Sequence, residues 1–288
     1  MSLTLVLLFI LGTLASQAMS RTIHEAAIAD KHEQWMATYG RKYEHSLEKE
    51  KRFKIFKDNL EYIESFNKAG NKSYKLGLNE FSDLTRDEFL AAHTGACWAF
   101  SAVAAIEGIT QIKTGNLISL SEQQILDCTT SGNLGCQGGY MMNAFEYVMQ
   151  NQGISTGENY PYLAMQEVCD MQKSANPAAI ISSYETVPQN DEEALLKAVA
   201  NQPVSVAIVG SDNPGFINYQ SGVFMEDCGT SHPHAITIVG FGTDSEDGTD
   251  YWLIKNSWGE TWGEKAYIKI QRNMGLCGLA NYASYPVA

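Results

Sequence analysis

The chain has 288 residues, 44% of them apolar and 18% charged, enough to bury one large core or two moderate ones. Its net charge of -13 excludes nucleic acid as the expected partner, because a phosphate-binding surface needs clustered Lys and Arg. The 33 acidic residues read instead as a solvated surface suited to an acidic, protein-dense compartment.

Residues 1–18 read as a secretory signal peptide: an apolar run from Leu3 to Leu14, too short to span a bilayer, is followed by small Ser16 and Ala18 at the positions a signal peptidase reads. The secretory route permits disulfides among Cys97, Cys128, Cys136, Cys169, Cys228 and Cys277. It makes the sequon Asn71-Lys72-Ser73 usable, implies no membrane attachment once the signal is removed, and leads to a vacuole- or lysosome-like compartment or to the exterior.

From Arg21 to about Ala69, apolar residues recur at helical spacing (Trp35, Tyr39, Phe53, Phe56, Leu60, Ile63, Phe66), predicting a helical segment with one face laid on a partner. A turn at Ala69–Asn71 and a short strand from Ser73 to Leu78 follow. An alanine-rich helix from Cys97 to about Thr110, a helix opened at Ser121 by a Ser-x-x-Gln cap, and a helix from Tyr140 to Met149 come next. Beyond Pro177 the pattern turns β-branched and alternating, in runs at 180–187, 204–209, 235–241, 251–255 and 266–271. Helices first and strands afterwards predict an α+β arrangement in two halves.

Cys97 follows Gly95-Ala96 and opens its helix, where unpaired N–H groups and the positive end of the dipole favour a thiolate. His234, 137 residues downstream and just before an apolar strand, supplies an imidazole from the strand-rich half. Asn256, in Asn256-Ser257-Trp258-Gly259, is placed to hold that ring in its working tautomer, with Trp258 shielding the bond from water. The neighbouring His232 reads as a satisfied core residue. No Cys-x-x-Cys pair occurs, so no structural zinc is expected, and the chemistry needs no cofactor.

These motifs, Gly-Ala-Cys-Trp-Ala-Phe-Ser from Gly95, His-Ala-Ile-Thr-Ile-Val-Gly-Phe-Gly from His234, and Asn-Ser-Trp-Gly from Asn256, resemble the papain family of cysteine peptidases in kind and order, with plant vacuolar and senescence-associated members most alike. Glu48, Arg52, Phe56, Asn59, Ile63 and Asn67 match the family's pro-domain signature, and Gly77, Asn79, Phe81 and Asp83 its second motif. The resemblance implies a papain-like fold: a helical left lobe carrying Cys97 and a β-barrel-like right lobe carrying His234 and Asn256, preceded by a helical inhibitory pro-domain. The implied boundaries are signal 1–18, pro-domain 19–92 and peptidase 93–288. It further implies a zymogen that hydrolyses protein and peptide substrates through an acyl-enzyme and is held inactive by its own pro-domain. Gly138 and Gly139 match the backbone clamp for extended substrate. Tyr140, Met141, Ala207 and Tyr282 fall where an apolar side chain upstream of the cut would bind, with Trp258 also counted among substrate-binding residues. The implied disulfides are Cys128–Cys169 and Cys228–Cys277.

The chain departs from the pattern before its nucleophile. Only thirteen residues separate Asp83 from Cys97, where the family has several dozen, so an internal segment is missing. The oxyanion glutamine would fall on Ala91, and no glutamine occurs between Gln34 and Gln111. That leaves the backbone N–H of Cys97, with Thr94 or His93 as substitutes, and an expected loss of turnover. The partner of Cys136 would fall on Thr94, leaving Cys136 unpaired. Pro233 stands where many members carry an acidic residue. An extended connection of this length reaches at most about 45 Å. The alternative expectation is a catalytically impaired papain-like protein whose pro-domain inhibits related peptidases.

Overall fold

The apolar stripe after Arg21 folds as two helices rather than one, α1 over 23–38 and α2 over Ser46–Lys68. The structure, a computed structural model, describes residues 23–70, 72–93 and 95–288, so the signal segment, the Asn71 sequon position and Thr94 lie outside the described residues. Helical period persists on both sides of the break, but Gly40 sits at φ 63, a left-handed position that ends a helix and that glycine adopts without Cβ strain. The two halves of the stripe then meet: Trp35 and Phe56 lie 5.3 Å apart in a small core with Ile28 and Leu60.

Strand β1 (Tyr74–Leu76) is shorter than the expected run, and Asn67 of α2 fixes its end, donating to Leu76 O at 2.8 Å and accepting from Leu76 N at 3.0 Å. The connection to Cys97 is not extended. Eight of its residues form α3 (Arg86–His93), which covers about 12 Å. Thr85 and Glu88 start this helix reciprocally, Glu88 N donating to Thr85 Oγ1 at 3.2 Å and Thr85 N to Glu88 Oε2 at 3.0 Å. Glu88 also takes Arg52 at 2.7 Å and Lys51 at 2.8 Å, and these contacts hold its carboxyl down at about 2.

Helices α4 (Cys97–Thr114), α5 (Glu122–Cys128) and α6 (Met141–Gln150), with the single turn α7 (Met171–Ser174), build the left lobe. Trp98, Ala102, Ile106, Leu126, Phe145 and Val148 fill its core, each large side chain contributing about 1.5–3 kcal/mol. Ser121 caps α5 by accepting from Gln124 N at 2.9 Å. The Gln124 side chain does not complete the box; it bonds Tyr147 and Ser155 N instead.

The right lobe carries β2 (Ser183–Thr186), α8 (Glu192–Val199), β3 (Val204–Ile208), α9 (Pro214–Ile217), β4 (Tyr219–Phe224), β5 (His234–Thr243), β6 (Asp250–Lys255), β7 (Tyr267–Gln271) and β8 (Ala283–Val287). The strands form one sheet in the order β1-β4-β7-β6-β5-β3-β8-β2, antiparallel except between β4 and β7. Its edge strand β1 comes from the amino-terminal segment and pairs with β4, Tyr74 opposite Gly222. A Cβ at Gly222 would lie 2.3 Å from Ser73 O, so this pairing requires glycine there.

Helix α4 ties the lobes together through buried hydroxyls: Ser101 Oγ donates to Ile236 O at 2.7 Å, and Ser205 Oγ to Ser101 O at 2.9 Å. Cys128–Cys169 and Cys228–Cys277 are bonded as the resemblance implies, each contributing about 2–4 kcal/mol. Cys136 is free and exposed.

Candidate active site

Cys97 is the first residue of α4, preceded by Ala96, which offers no side-chain cap; the helix-end N–H groups are thereby left to the sulfur. A Cβ at Gly95 would lie 1.9 Å from Cys136 O, so only glycine lets the chain enter the helix at this point. Trp98 Nε1 donates to Gly135 O at 3.1 Å. A Cβ at Gly139 would lie 2.7 Å from the Trp98 ring. Gly138, at φ 118, donates to Gly135 O at 3.2 Å and accepts from Leu134 N at 2.8 Å. The glycine loop is thus folded onto the residue that follows Cys97. In the intact chain the thiol is buried. Burial pushes it up, while the N–H groups of Ala235, Trp98 and Cys97 itself favour the thiolate.

His234 begins β5, and Asn256 follows the last residue of β6; the antiparallel register, Thr237 opposite Lys255, brings these two ends together. His234 Nε2 lies 2.8 Å from Asn256 Oδ1. Asn256 Oδ1 also accepts from Ser257 N at 2.8 Å, which identifies that atom as the oxygen and therefore assigns the imidazole proton to Nε2, leaving Nδ1 as the basic nitrogen. Trp258 stacks on the imidazole at 4.9 Å, and His234 and Trp258 are 1% and 3% exposed, so water is kept from the bond. The Ala235 N–H that reaches the Cys97 sulfur belongs to the residue after His234, which fixes thiol and imidazole in one neighbourhood.

Met141 is buried in the cluster that contains Cys97 and Ala235, and Ala207 packs against that cluster opposite Ala235 across β3 and β5. Tyr140 and Tyr282 are each 60% exposed, with the Tyr282 carbonyl taking Ala207 N at 3.0 Å. Ala91 is exposed on α3 and offers no side-chain donor to an oxyanion. His232 is not a core residue, which corrects the expectation. It sits at φ 52 with its side chain 47% exposed, Nδ1 3.0 Å from Asp212 Oδ2; the left-handed turn before Pro233 swings it outward. Among the described residues no group of three or more His, Cys, Asp or Glu could hold a metal ion, and no single helix is long and apolar enough to cross a membrane.

One charged cluster near the site has no motif. Glu122, Lys255, Asn256 and Ser257 line one small cavity with Ala235. Burial, with Glu107 adding to it and Lys255 opposing, pushes the Glu122 carboxyl up to about 7, while Glu107 accepts from Leu120 N at 3.0 Å. A raised carboxyl means the folded state holds the proton more tightly, so stability from this group is present below about pH 4.5 and is lost as pH rises toward 7. Replacing Glu122 with Gln is therefore expected to stabilise the chain at pH 8 by about 3 kcal/mol, with little gain at pH 4; thermal melts at the two values check this, and an equal shift at both would contradict it.

The amino-terminal segment docks beside this site. Asn79 Nδ2 donates to Ile217 O at 2.8 Å, Gly77 N to Asn218 O at 2.9 Å, and Thr261 Oγ1 to Glu80 Oε1 at 2.6 Å. Phe89 of α3 meets Trp258 edge-on at 4.8 Å, placing the pro-segment one ring away from the imidazole.

The family described as papain family cysteine protease matches residues 90–287, and the cathepsin propeptide inhibitor domain matches residues 32–89. The chain belongs to the papain family of cysteine proteases. A senescence-specific cysteine protease of Oryza sativa subsp. indica is 44% identical over 315 aligned residues, covering 92% of this chain and 91% of the relative. Fruit bromelain of Ananas comosus is 40% identical over 334, covering 99% and 93%. Because 92% of 288 residues fill a 315-position alignment, about 50 aligned positions have no residue in this chain. Among solved structures, a recombinant stem bromelain precursor superposes with TM-score 0.86 at 38% identity, covering 91% of this chain and 99% of that one. The proform of a ragweed pollen allergen cysteine protease superposes with TM-score 0.83 at 36% identity, covering 90% and 94%. This papain-family member is a cysteine endopeptidase made as a proform, with a cathepsin-type propeptide ahead of its catalytic unit, in the expected α+β fold.

Proposed function

We propose that Cys97, His234 and Asn256 carry the hydrolysis. The observation that carries this is the His234–Asn256 bond of 2.8 Å beneath Trp258, with the Cys97 sulfur held by the N–H of the next residue, Ala235. His234 Nδ1 takes the thiol proton, the thiolate attacks the peptide carbonyl, and the imidazolium returns the proton to the leaving amine; water then opens the acyl-enzyme by the same exchange. Asn256 holds the ring. The Cys97 N–H at the helix tip serves the oxyanion. Gly138 and Gly139 hold the extended substrate upstream of the cut, and Met141 and Ala207, rimmed by Tyr140 and Tyr282, take an apolar side chain.

In this reading the residues up to 92 inhibit the catalytic unit from 93 onward, and activation cuts the connection within about ten residues of Cys97, after Arg86. The unmatched 50 or so positions fall in that connection, consistent with the free Cys136 and the absent glutamine. Residues 1–18 direct the chain into the secretory pathway and on to a vacuole-like compartment or the exterior. Neither reduced activity nor the inhibitor-only reading gains support from the relatives, which are named as proteases. Incubation of the purified chain at acid pH with a thiol-reactive peptidyl epoxide is expected to modify Cys97 and to abolish peptidase activity in proportion. Modification of the exposed Cys136 alone, with activity retained, would overturn the assignment.

A further inference from the structure

Asp212, in the loop between β3 and α9, has a carboxylate only 5% exposed and is held from three sides. His232 Nδ1 lies 3.0 Å from Oδ2, and Ser231 Oγ lies 3.1 Å from both oxygens. The third partner, Arg86, comes from the pro-segment helix α3 and forms an ion pair with Oδ2. A buried carboxylate is costly unless it is paired. Here the paired guanidinium belongs to a segment that leaves on activation, while Ser231 and His232 belong to the catalytic unit.

The site lies on a definite side of the chemistry. Arg86, Asp212, Phe89 and Ile217 line one pocket between pro-segment and catalytic unit, Phe89 meets Trp258 at 4.8 Å, and Trp258 stacks on His234 at 4.9 Å. The imidazolium delivers its proton to the leaving amine, so the residues after the cut lie on the imidazole side, away from the Gly138–Gly139 loop. We propose that Asp212 is a substrate subsite for a basic side chain, Arg or Lys, at one of the two positions following the cut, and that Arg86 fills it in the intact chain. This rests on the catalytic reading given above. The chain's own guanidinium occupies the site, ion-paired with Oδ2 of a carboxylate that Ser231 and His232 also contact.

The test uses the full chain after its own processing and internally quenched peptides identical up to the cut, bearing Arg, Gln or Glu at the first or second position after it. At one of these positions the Arg peptide is expected to show kcat/KM about tenfold above the Gln peptide, with Glu below Gln. In Asp212→Asn the Arg-to-Gln ratio is expected to fall to near one. Equal rates for Arg and Gln at both positions, or an unchanged ratio in Asp212→Asn, would overturn the subsite. The comparison among peptides needs no substitution, so it decides the matter even where Asp212→Asn fails to fold. Cleavage of none of the peptides would instead overturn the catalytic assignment, and the subsite with it.

Discussion

Replacement of His234 by Ala is expected to slow peptide hydrolysis by on the order of 10³- to 10⁴-fold. In the proposed mechanism the imidazole has two tasks: it draws the proton from Cys97, whose thiol is pushed up by burial, and it protonates an amine that leaves poorly as an anion. In that mechanism Asn256 and Trp258 support the ring, by the 2.8 Å bond and the 4.9 Å stack, and this support loses its purpose with the substitution. Turnover of a fluorogenic peptide checks the effect; a loss of less than tenfold would mean that another group takes the proton.

Replacement of Phe89 by Ala is expected to cost about 3–5 kcal/mol of stability in the intact chain and to lower its thermal midpoint by roughly 10 °C. Phe89 is 1% exposed and stands edge-on between Phe81 at 5.2 Å and Trp258 at 4.8 Å. Truncation opens a cavity that α3 cannot close, because the helix is anchored at its start by Thr85 and Glu88 and runs within four residues into Cys97. Since the same ring joins the pro-segment to Trp258, the variant is also expected to expose Cys97 sooner to a thiol reagent. An unchanged midpoint and an unchanged labelling rate would show that the pro-segment is held elsewhere.

What the sequence disclosed follows from where each constraint originates. The proposed site residues Cys97, His234 and Asn256 stand out in the sequence because the proposed chemistry needs those side chains and the local pattern, a helix start, a strand start and a turn before Trp258, shows how each is presented. The pairing of Cys128 with Cys169 was available through resemblance alone. Strands β4 and β8 escape a reading by alternation because Gly222 and Pro286 interrupt them. Gly40 does not stand out as a helix break in the sequence because the apolar period resumes after it. The sequence reading assigns no element to the connection before Cys97, where Thr85 and Glu88 start a helix by capping each other.

Asp212, His232 and Glu122 were illegible for a different reason. Their environments are made by residues far along the chain, Arg86 at Asp212 and the cavity of Lys255, Asn256 and Ser257 around Glu122, and no local pattern encodes such a meeting. The apolar strand after His232 makes it read as a core residue, but its left-handed backbone before Pro233 turns the side chain outward.

The most direct measurement is the rate of Cys97 alkylation as a function of pH in the self-processed protein and in its His234→Ala variant. With the imidazole in place, alkylation is expected to rise well below the ordinary cysteine range near pH 8.5, and the variant to rise only within that range. A rise near pH 8.5 in both proteins would contradict a thiolate made by His234.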